Sequence, residues 1–309
     1  MAQMLKFDIL FDDRLAEFIT KQDINISNEY ALSIINDYED KIWRYEYFLT
    51  FIWDNIIETA LSKRERESLV NNHYSALIGS AKNLRLTDSD KDPGKGSEIA
   101  EIALYGILKH HYKALSIVPK IFYKQNTNDY AKGADSVHII LNDDNNDFSL
   151  WFGEAKFYKS IVDSNLDEII SSVEKLLQSD KIKKENKIII NLKDIGLCIS
   201  DEMLCRKITE MLSDDISLDH IRPKLHIPIL LLYECAITAR HYEKTSEYIN
   251  EIRGYHRERA ESYFRKQINM LSEVPKYKDI YFHLIIFPVP VKQKIVEEFT
   301  KQAKILTGK

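Results

Sequence analysis

The pattern of apolar and polar positions divides the chain near residue 90. From residue 10 to about 85, apolar and aromatic side chains recur at helical spacing, with few glycines or prolines between them. The polar stretch LTDSDKDPGKGS, residues 86 to 97, interrupts this pattern with residues typical of turns and helix starts. We therefore predict a helical N-terminal region over residues 1–90 and a second domain over residues 91–309.

Helical and strand patterns alternate after the break. Helical spacing is found in EIAEIALYGILKHHY, DSNLDEIISSVEKLLQSD, a stretch from about 200 to 215, TARHYEKTSEYINEIRGYHRERAESYFRKQINML (with Gly254 as a candidate break) and VKQKIVEEFTKQAKIL. Strands are predicted for SIVPKIFYKQ, SVHIILND, DFSLWFGEAKF, KIIINL, HIPILLLYEC and YFHLIIFPVP. Several of these strands are apolar on both faces. The pattern therefore predicts an α/β (α+β) fold in which a mixed sheet is flanked by helices on both sides.

Composition and charge narrow the class of protein. The formal net charge is −5 over 309 residues, so any surface for nucleic acid must be local. We expect neither a signal peptide nor a membrane span, because no long apolar stretch is present. Cys198, Cys205 and Cys235 lack the C-x-x-C spacing of a zinc site, which favours reduced thiols in a cytoplasmic protein.

The strand that contains WFGEAKFY carries charged residues into an apolar run. Alternation puts Glu154 and Lys156 on one face of the strand. Burying these charges is costly unless they are paired, hydrogen-bonded or bound to a metal. A hairpin that turns through NDDNND, residues 142 to 147, brings Asp135 close to Glu154. Two carboxylates at one sheet edge suit Mg²⁺ or Mn²⁺, and Lys156 could orient an attacking water. The alternative is an ordinary ion pair between Glu154 and Lys156.

The helix that precedes the strands carries two further acids. Glu98 and Glu101 lie near its start, where a carboxylate could reach the metal or its bound water. The alternative is a pair of solvated glutamates, because the helix dipole favours acids in a first turn.

The order of these elements resembles that of the PD-(D/E)xK nuclease superfamily: a helix with Glu, strands, a strand with Asp, and a strand with Glu-x-Lys. The proline of the motif is replaced by Ala134, and the Gln-x-x-x-Tyr element of some branches is missing. More narrowly, the sequence resembles the HamA family, the nuclease subunit of the Hachiman antiphage defence system, over roughly residues 95 to 305. The stretches that carry this resemblance are AEIALYGIL, KGADSVHII, WFGEAKFY, IPILLLYEC and YFHLIIFPVP.

The resemblance implies a metal-dependent DNase that works with a superfamily 2 helicase partner, HamB. Asp135 and Glu154 match the family's metal-binding acids and Lys156 matches its catalytic lysine. The helix acid matches Glu101 best, with Glu98 as the less certain candidate. One or two Mg²⁺ (or Mn²⁺) ions would then lie between Asp135, Glu154 and the backbone carbonyl of Ala155, and hydrolyse DNA by in-line displacement.

Several alternatives remain open at this point. The chain could be a catalytically silent nucleic-acid-binding or scaffold subunit with a retained nuclease fold, or a metal-dependent phosphatase. The basic residues of the helix from Ala239 to Met270 could contact DNA, but its interleaved acids equally indicate a solvated helix with internal ion pairs. The aromatic residues between Trp43 and Trp53 indicate a core or, alternatively, a docking surface for the helicase.

Overall fold

A computed structural model describes residues 5–17, 28–85, 97–125, 133–142, 144, 146–191, 199 and 201–308. We number strands and helices in chain order. The strands are β1 Asp8–Arg14, β2 Glu29–Ile35, β3 Tyr38–Glu39, β4 Ile42–Trp43, β5 Leu115–Val118, β6 Ser136–Leu141, β7 Phe148–Tyr158, β8 Leu225–Glu234 and β9 Tyr281–Val289. The helices are α1 Tyr45–Ala60, α2 Lys63–Ser68, α3 His73–Lys82, α4 Ser97–His110, α5 Lys120–Gln125, α6 Asp163–Leu176, α7 Ser179–Asn191, α8 Glu202–Met211, α9 Leu218–Ile221, α10 Ala236–Arg240, α11 Ser246–Leu271 and α12 Lys292–Thr307.

A seven-stranded mixed sheet organises the molecule, in the order β1-β2-β9-β8-β7-β6-β5. The central strands β2, β9, β8 and β7 run parallel, whereas β1, β6 and β5 pair antiparallel with their neighbours. Helices α6, α7, α8 and α11 cover one face, and α1, α4 and α12 cover the other. The predicted α/β (α+β) fold, with a mixed sheet flanked by helices, is confirmed. It follows from central strands that are apolar on both faces.

The prediction that residues 10 to 85 are helical is wrong for the first part of that range. Residues 8–14 and 29–35 form β1 and β2, which extend the main sheet through the pairing of β2 with β9. Short apolar runs such as YALSII fit helical spacing as well as a buried strand, so periodicity alone does not distinguish them. Helix α1 then packs on α4, and its buried Phe48 and Phe51 lie in the same core as the sheet. The role of residues 1–90 in docking a partner stays a prediction.

Three other element predictions need correction. The run KIIINL continues helix α7 instead of forming a strand, and its last residue lies outside the described residues. The strand predicted for SIVPKIFYKQ ends at Val118, because Pro119 has no N–H to donate to a ladder, and α5 follows. The long C-terminal helix is continuous through Gly254 and is instead divided between α10 and α11.

The remaining predicted strands and helices are confirmed. The polar break at residues 86 to 96 lies outside the described residues. Within the described ranges, no helix combines the length and apolar character needed to cross a membrane.

Candidate active site

The β6–β7 hairpin brings Asp135 to the middle of β7. The two strands pair antiparallel from Leu141 opposite Phe148 to Ser136 opposite Gly153, and Asp135 immediately precedes the first residue of β6. The backbone N–H of Asp135 donates to the carbonyl of Gly153 at 2.8 Å. The side-chain Oδ2 of Asp135 in turn accepts the N–H of Ala155 at 3.1 Å. The Asp135 carboxylate thus accepts a hydrogen bond from β7 that a backbone carbonyl would accept if the β6–β7 ladder continued. This bond holds the carboxylate beside β7.

Glu154 and Lys156 share the face of β7 that is covered by α6 and α11. Phe148, Leu150 and Phe152 precede them on this face, as alternation requires. Glu154 is 7% exposed, and its Oε2 lies 4.0 Å from Nζ of the partly exposed Lys156. This separation is longer than a hydrogen bond, so the two charges interact without a direct donor–acceptor contact. Lys156 therefore presents its ammonium near the Glu154 carboxylate and towards solvent.

The backbone carbonyl of Ala155 faces Asp135. Within a strand, the N–H and C=O of one residue point to the same side, as the paired exchange of hydrogen bonds in antiparallel ladders requires. The N–H of Ala155 points to Asp135, so its carbonyl points to that side as well, just beyond the end of β6. The predicted donors Asp135, Glu154 and the Ala155 carbonyl are therefore neighbours along one short stretch of sheet.

The two candidate glutamates of α4 have different surroundings. Glu101 is 5% exposed and lines a small cavity together with Asp135, Lys120, Ser136 and His138. Glu98 lies at the start of the helix, where its two carboxylate oxygens accept the backbone N–H of Arg85 at 2.9 and 3.0 Å. The structure therefore places Glu101 near Asp135 and gives Glu98 a contact that anchors the end of the preceding segment.

The sheet separates Glu101 from Glu154. Glu101 belongs to the α4 side, on which Ser136 also lies, because a Cβ at Gly153 would meet Ser136 Oγ and Leu104 of α4. Glu154 belongs to the α6 and α11 side. Asp135, at the strand end, lines the cavity with Glu101 and accepts a hydrogen bond from Ala155, the residue that follows Glu154.

Three groups that the sequence analysis missed surround these acids. His138 on β6 is buried at the cavity, and burial lowers its pKa to about 4, so it is neutral at pH 7. On the other side of the sheet, Tyr158 and Tyr263 lie near Glu154. Burial raises the pKa of both phenols, and the negative charge of Glu154 adds to the increase. The alternation of SVHIIL could have identified His138 as an inward polar residue, but Tyr263 is brought in by a helix more than 100 residues away.

Basic residues of α11 pair with acids instead of forming a free cationic stripe. Arg259 contacts Asp163 at 3.1 Å, Lys266 contacts Asp167 at 2.8 Å, and Arg265 contacts Glu261 at 2.8 Å. His256, which lies among these basic residues along α11, is fully buried and hydrogen-bonds to Ser33 Oγ and the Tyr233 hydroxyl. This arrangement favours the interpretation of a helix stabilised by ion pairs.

The donor chemistry of the strand-end site fits a divalent cation. Carboxylate and carbonyl oxygens are the ligands that Mg²⁺ and Mn²⁺ prefer, and Asp135, Glu154 and Ala155 supply both kinds. Within the described ranges, however, no group of three His, Cys, Asp or Glu side chains is arranged to hold a metal. The side chains that would hold the cation are therefore Asp135 and Glu154, supplemented by the backbone carbonyl.

The fold and this site define a mixed α/β protein with an acid-x-Lys pair beside an aspartate at the end of an antiparallel hairpin. The HamA family model matches residues 11–303, so the chain belongs to the HamA family. That match agrees with the resemblance to the Hachiman antiphage defence system and extends it into the N-terminal region. No curated protein matches the sequence.

Proposed function

We propose that this HamA-family protein is a metal-dependent DNA nuclease that acts in antiphage defence with a superfamily 2 helicase partner, in the cytoplasm. One observation carries the proposal. Oδ2 of Asp135 accepts the N–H of Ala155 at 3.1 Å, so the Asp135 carboxylate is held beside the residue that follows Glu154, and the Glu154 carboxylate in turn lies 4.0 Å from Lys156 Nζ. The order of these groups along the strands is the one that PD-(D/E)xK nucleases share.

The residues have distinct roles in this proposal. Asp135, Glu154 and the Ala155 carbonyl would hold Mg²⁺ or Mn²⁺, which lowers the pKa of water and offsets phosphate charge when bound. The Lys156 ammonium would orient the attacking water and stabilise the negative charge that develops on the phosphate oxygens. Water forms the new P–O bond while the leaving oxygen departs in line, so no protein nucleophile is required. Glu101, which lines the cavity beside Asp135, would act from the α4 side.

A catalytically silent subunit is the second candidate, and one observation favours it. Glu101 and Glu154 belong to opposite sides of the sheet, and the described residues contain no three-ligand cluster. A protein that retained the nuclease fold for binding would need no such cluster.

Cleavage assays separate the two candidates. Purified protein is incubated with linear, supercoiled and single-stranded DNA in Mg²⁺ or Mn²⁺, with EDTA as the metal control. We expect cleavage that is lost with EDTA and reduced at least about 100-fold in Lys156→Ala, because the lysine acts on the reacting groups. Lys175→Ala, which removes an exposed lysine from α6, should cut as the wild type does.

Phage protection in cells completes the test, because the protein acts there together with the helicase. If the purified wild type does not cut, Lys156→Ala should still abolish protection when expressed with the helicase. Protection by Lys156→Ala at the wild-type level would contradict the nuclease and support the silent subunit.

A further inference from the structure

A buried ion pair joins α5 to α7 next to the candidate site. Lys120 and Glu185 are 3% and 0% exposed, and Lys120 Nζ donates to both Glu185 oxygens, at 2.7 and 2.9 Å. Two buried charges cost much desolvation energy, which their mutual attraction offsets only when the geometry is good, so such a pair is weak evidence for stability. The contacts of Glu185 beyond Lys120 indicate what the pair does.

Glu185 holds the chain immediately before Asp135. Its Oε1 accepts the backbone N–H of Ala134 at 3.0 Å. The same oxygen lies so close to Gly133 that a Cβ there would be 1.9 Å away. A side chain at residue 133 would therefore displace the Glu185 carboxylate, which packs directly against the backbone of Gly133. Glu185 thus fixes residues 133 and 134 from the α7 side.

The segment is fixed from the β7 side as well. The backbone N–H of Asp135 donates to Gly153, and its carboxylate accepts from Ala155, at 2.8 and 3.1 Å. Asp135 therefore lies between two anchors, Glu185 before it and β7 beside it. Lys120, which orients Glu185, also lines the cavity that Asp135 and Glu101 share.

We propose that Glu185, oriented by Lys120, is a positioning residue that sets the Asp135 carboxylate for a divalent cation. The inference rests on the proposed function, because it concerns the metal that Asp135 would hold. Groups that orient metal ligands typically change metal affinity 10–100-fold when they are replaced. Neither Glu185 nor Lys120 touches the reacting groups in this proposal, so metal affinity is the property that their replacement should change.

Mn²⁺ binding to the full-length chain, followed by the EPR signal of free Mn²⁺, tests the inference without a cleavage assay. The variants are Glu185→Gln and the double change Lys120→Met with Glu185→Leu. Because replacing both members of a buried pair by apolar residues is often neutral for stability, the double variant should stay folded, with a melting temperature lowered only by the loss of the acceptor for the Ala134 N–H. We expect both variants to bind Mn²⁺ about 10–100-fold more weakly than the wild type.

Two further variants calibrate the measurement. Asp180→Asn removes an exposed carboxylate from the same helix α7 and should leave the Mn²⁺ affinity unchanged. Asp135→Asn should abolish the binding at this site, and thus shows which part of the signal belongs to it.

The outcomes distinguish the inference from the proposed function. If the folded double variant binds Mn²⁺ as tightly as the wild type while Asp135→Asn does not, the ion pair is purely structural and the inference alone is wrong. If wild type and Asp135→Asn bind Mn²⁺ equally, or neither binds, the metal role of Asp135 is wrong and the inference fails with it.

Discussion

The Tyr263 hydroxyl lies inside the core near the candidate site. Tyr263 is fully buried, and this burial is the main cause of the raised pKa of its phenol. Electrostatic interactions with Tyr277, Glu154 and Tyr158 raise the pKa further. Within the described part of the chain, its hydroxyl has no hydrogen-bond partner. A buried hydroxyl without a partner loses its hydration on folding and gains nothing in return.

Replacing Tyr263 by Phe should therefore stabilise the protein. We expect Tyr263→Phe to raise the free energy of unfolding by about 1 kcal/mol, measured by urea denaturation. Tyr277→Phe is the matched control, because the Tyr277 hydroxyl accepts from Gln267 Nε2 at 2.9 Å. That change should lower the free energy of unfolding by about 1 kcal/mol. Equal losses in both variants would contradict the prediction and indicate that Tyr263 is hydrogen-bonded in solution.

Residue-level reasoning from the sequence identified the acids and the lysine of the strand but missed the residues that hold them. The alternation along WFGEAKFY and the polar turn at residues 142 to 147 were enough to predict the hairpin, in which Asp135 hydrogen-bonds to Gly153 and Ala155 on either side of Glu154. Glu185 was missed because KIIINL was interpreted as a strand. A helical interpretation would have put Glu185 between Ile182 and Ile189 on one buried face.

At the scale of elements, β7 packs too closely on its neighbours to carry a side chain at Gly153. A Cβ at this position would lie 2.3 Å from Ser136 Oγ of β6, 2.8 Å from Leu104 of α4 and 3.2 Å from Pro228 of β8. Gly153 therefore allows strand, hairpin and helix to meet directly beside Glu154. By contrast, among the described residues no side chain and no other element comes within 4 Å of the Cβ position of Gly254 in α11.

Replacing these two glycines by alanine should change the free energy of unfolding in opposite directions. Gly153→Ala should lower the free energy of unfolding by about 1–3 kcal/mol, because the overpacked elements must separate. Gly254→Ala should raise it by about 0.5–1 kcal/mol, because alanine loses less backbone entropy in a helix. Thermal or urea unfolding measures both. A stable Gly153→Ala would show that α4 can move away from the hairpin at little cost.

The elements that the sequence failed to predict depend on distant partners. Strand β2 is short and apolar, and it acquires its strand conformation by pairing with β9, about 250 residues further along the chain. No local window of sequence contains that partner, so periodicity alone could not decide between a helix and a buried strand. The β6–β7 hairpin, whose strands are joined by a short turn, was predicted correctly because its information is local.

At the scale of the whole molecule, one sheet carries both the candidate site and histidines that are buried or, in the case of His226, partly buried. His226 on β8 and His283 on β9 stack with Trp151 of β7, and His226 Nδ1 lies 2.9 Å from His283 Nε2. A hydrogen bond between two imidazoles requires one donor and one acceptor nitrogen, so it is lost when both rings are protonated. His138 and His256 are buried as well, on the α4 and the α11 side of the sheet respectively.

Burial lowers the pKa of each of these histidines. The pKa falls to about 3 for His226 and His256, to about 4 for His138, and well below its usual value for His283, to which His226 also contributes. In the unfolded chain the same imidazoles titrate near about 6.5. Below that pH the unfolded state binds more protons than the folded state, so stability is complete above about 6.5 and is lost as the pH falls.

Acid should therefore destabilise this protein well before its carboxylates titrate. Each histidine that stays neutral in the folded state costs roughly 2 kcal/mol between pH 7 and pH 5, so four of them would remove several kcal/mol. Urea midpoints at pH 8, 7, 6 and 5 measure the effect, with little change expected from pH 8 to 7 and a steep loss below 6. His138→Leu should make that loss smaller by about one histidine's share, because it removes one proton-binding group from the unfolded state. Equal midpoints at pH 7 and pH 5 would show that the buried histidines are protonated in the folded protein, contrary to this expectation.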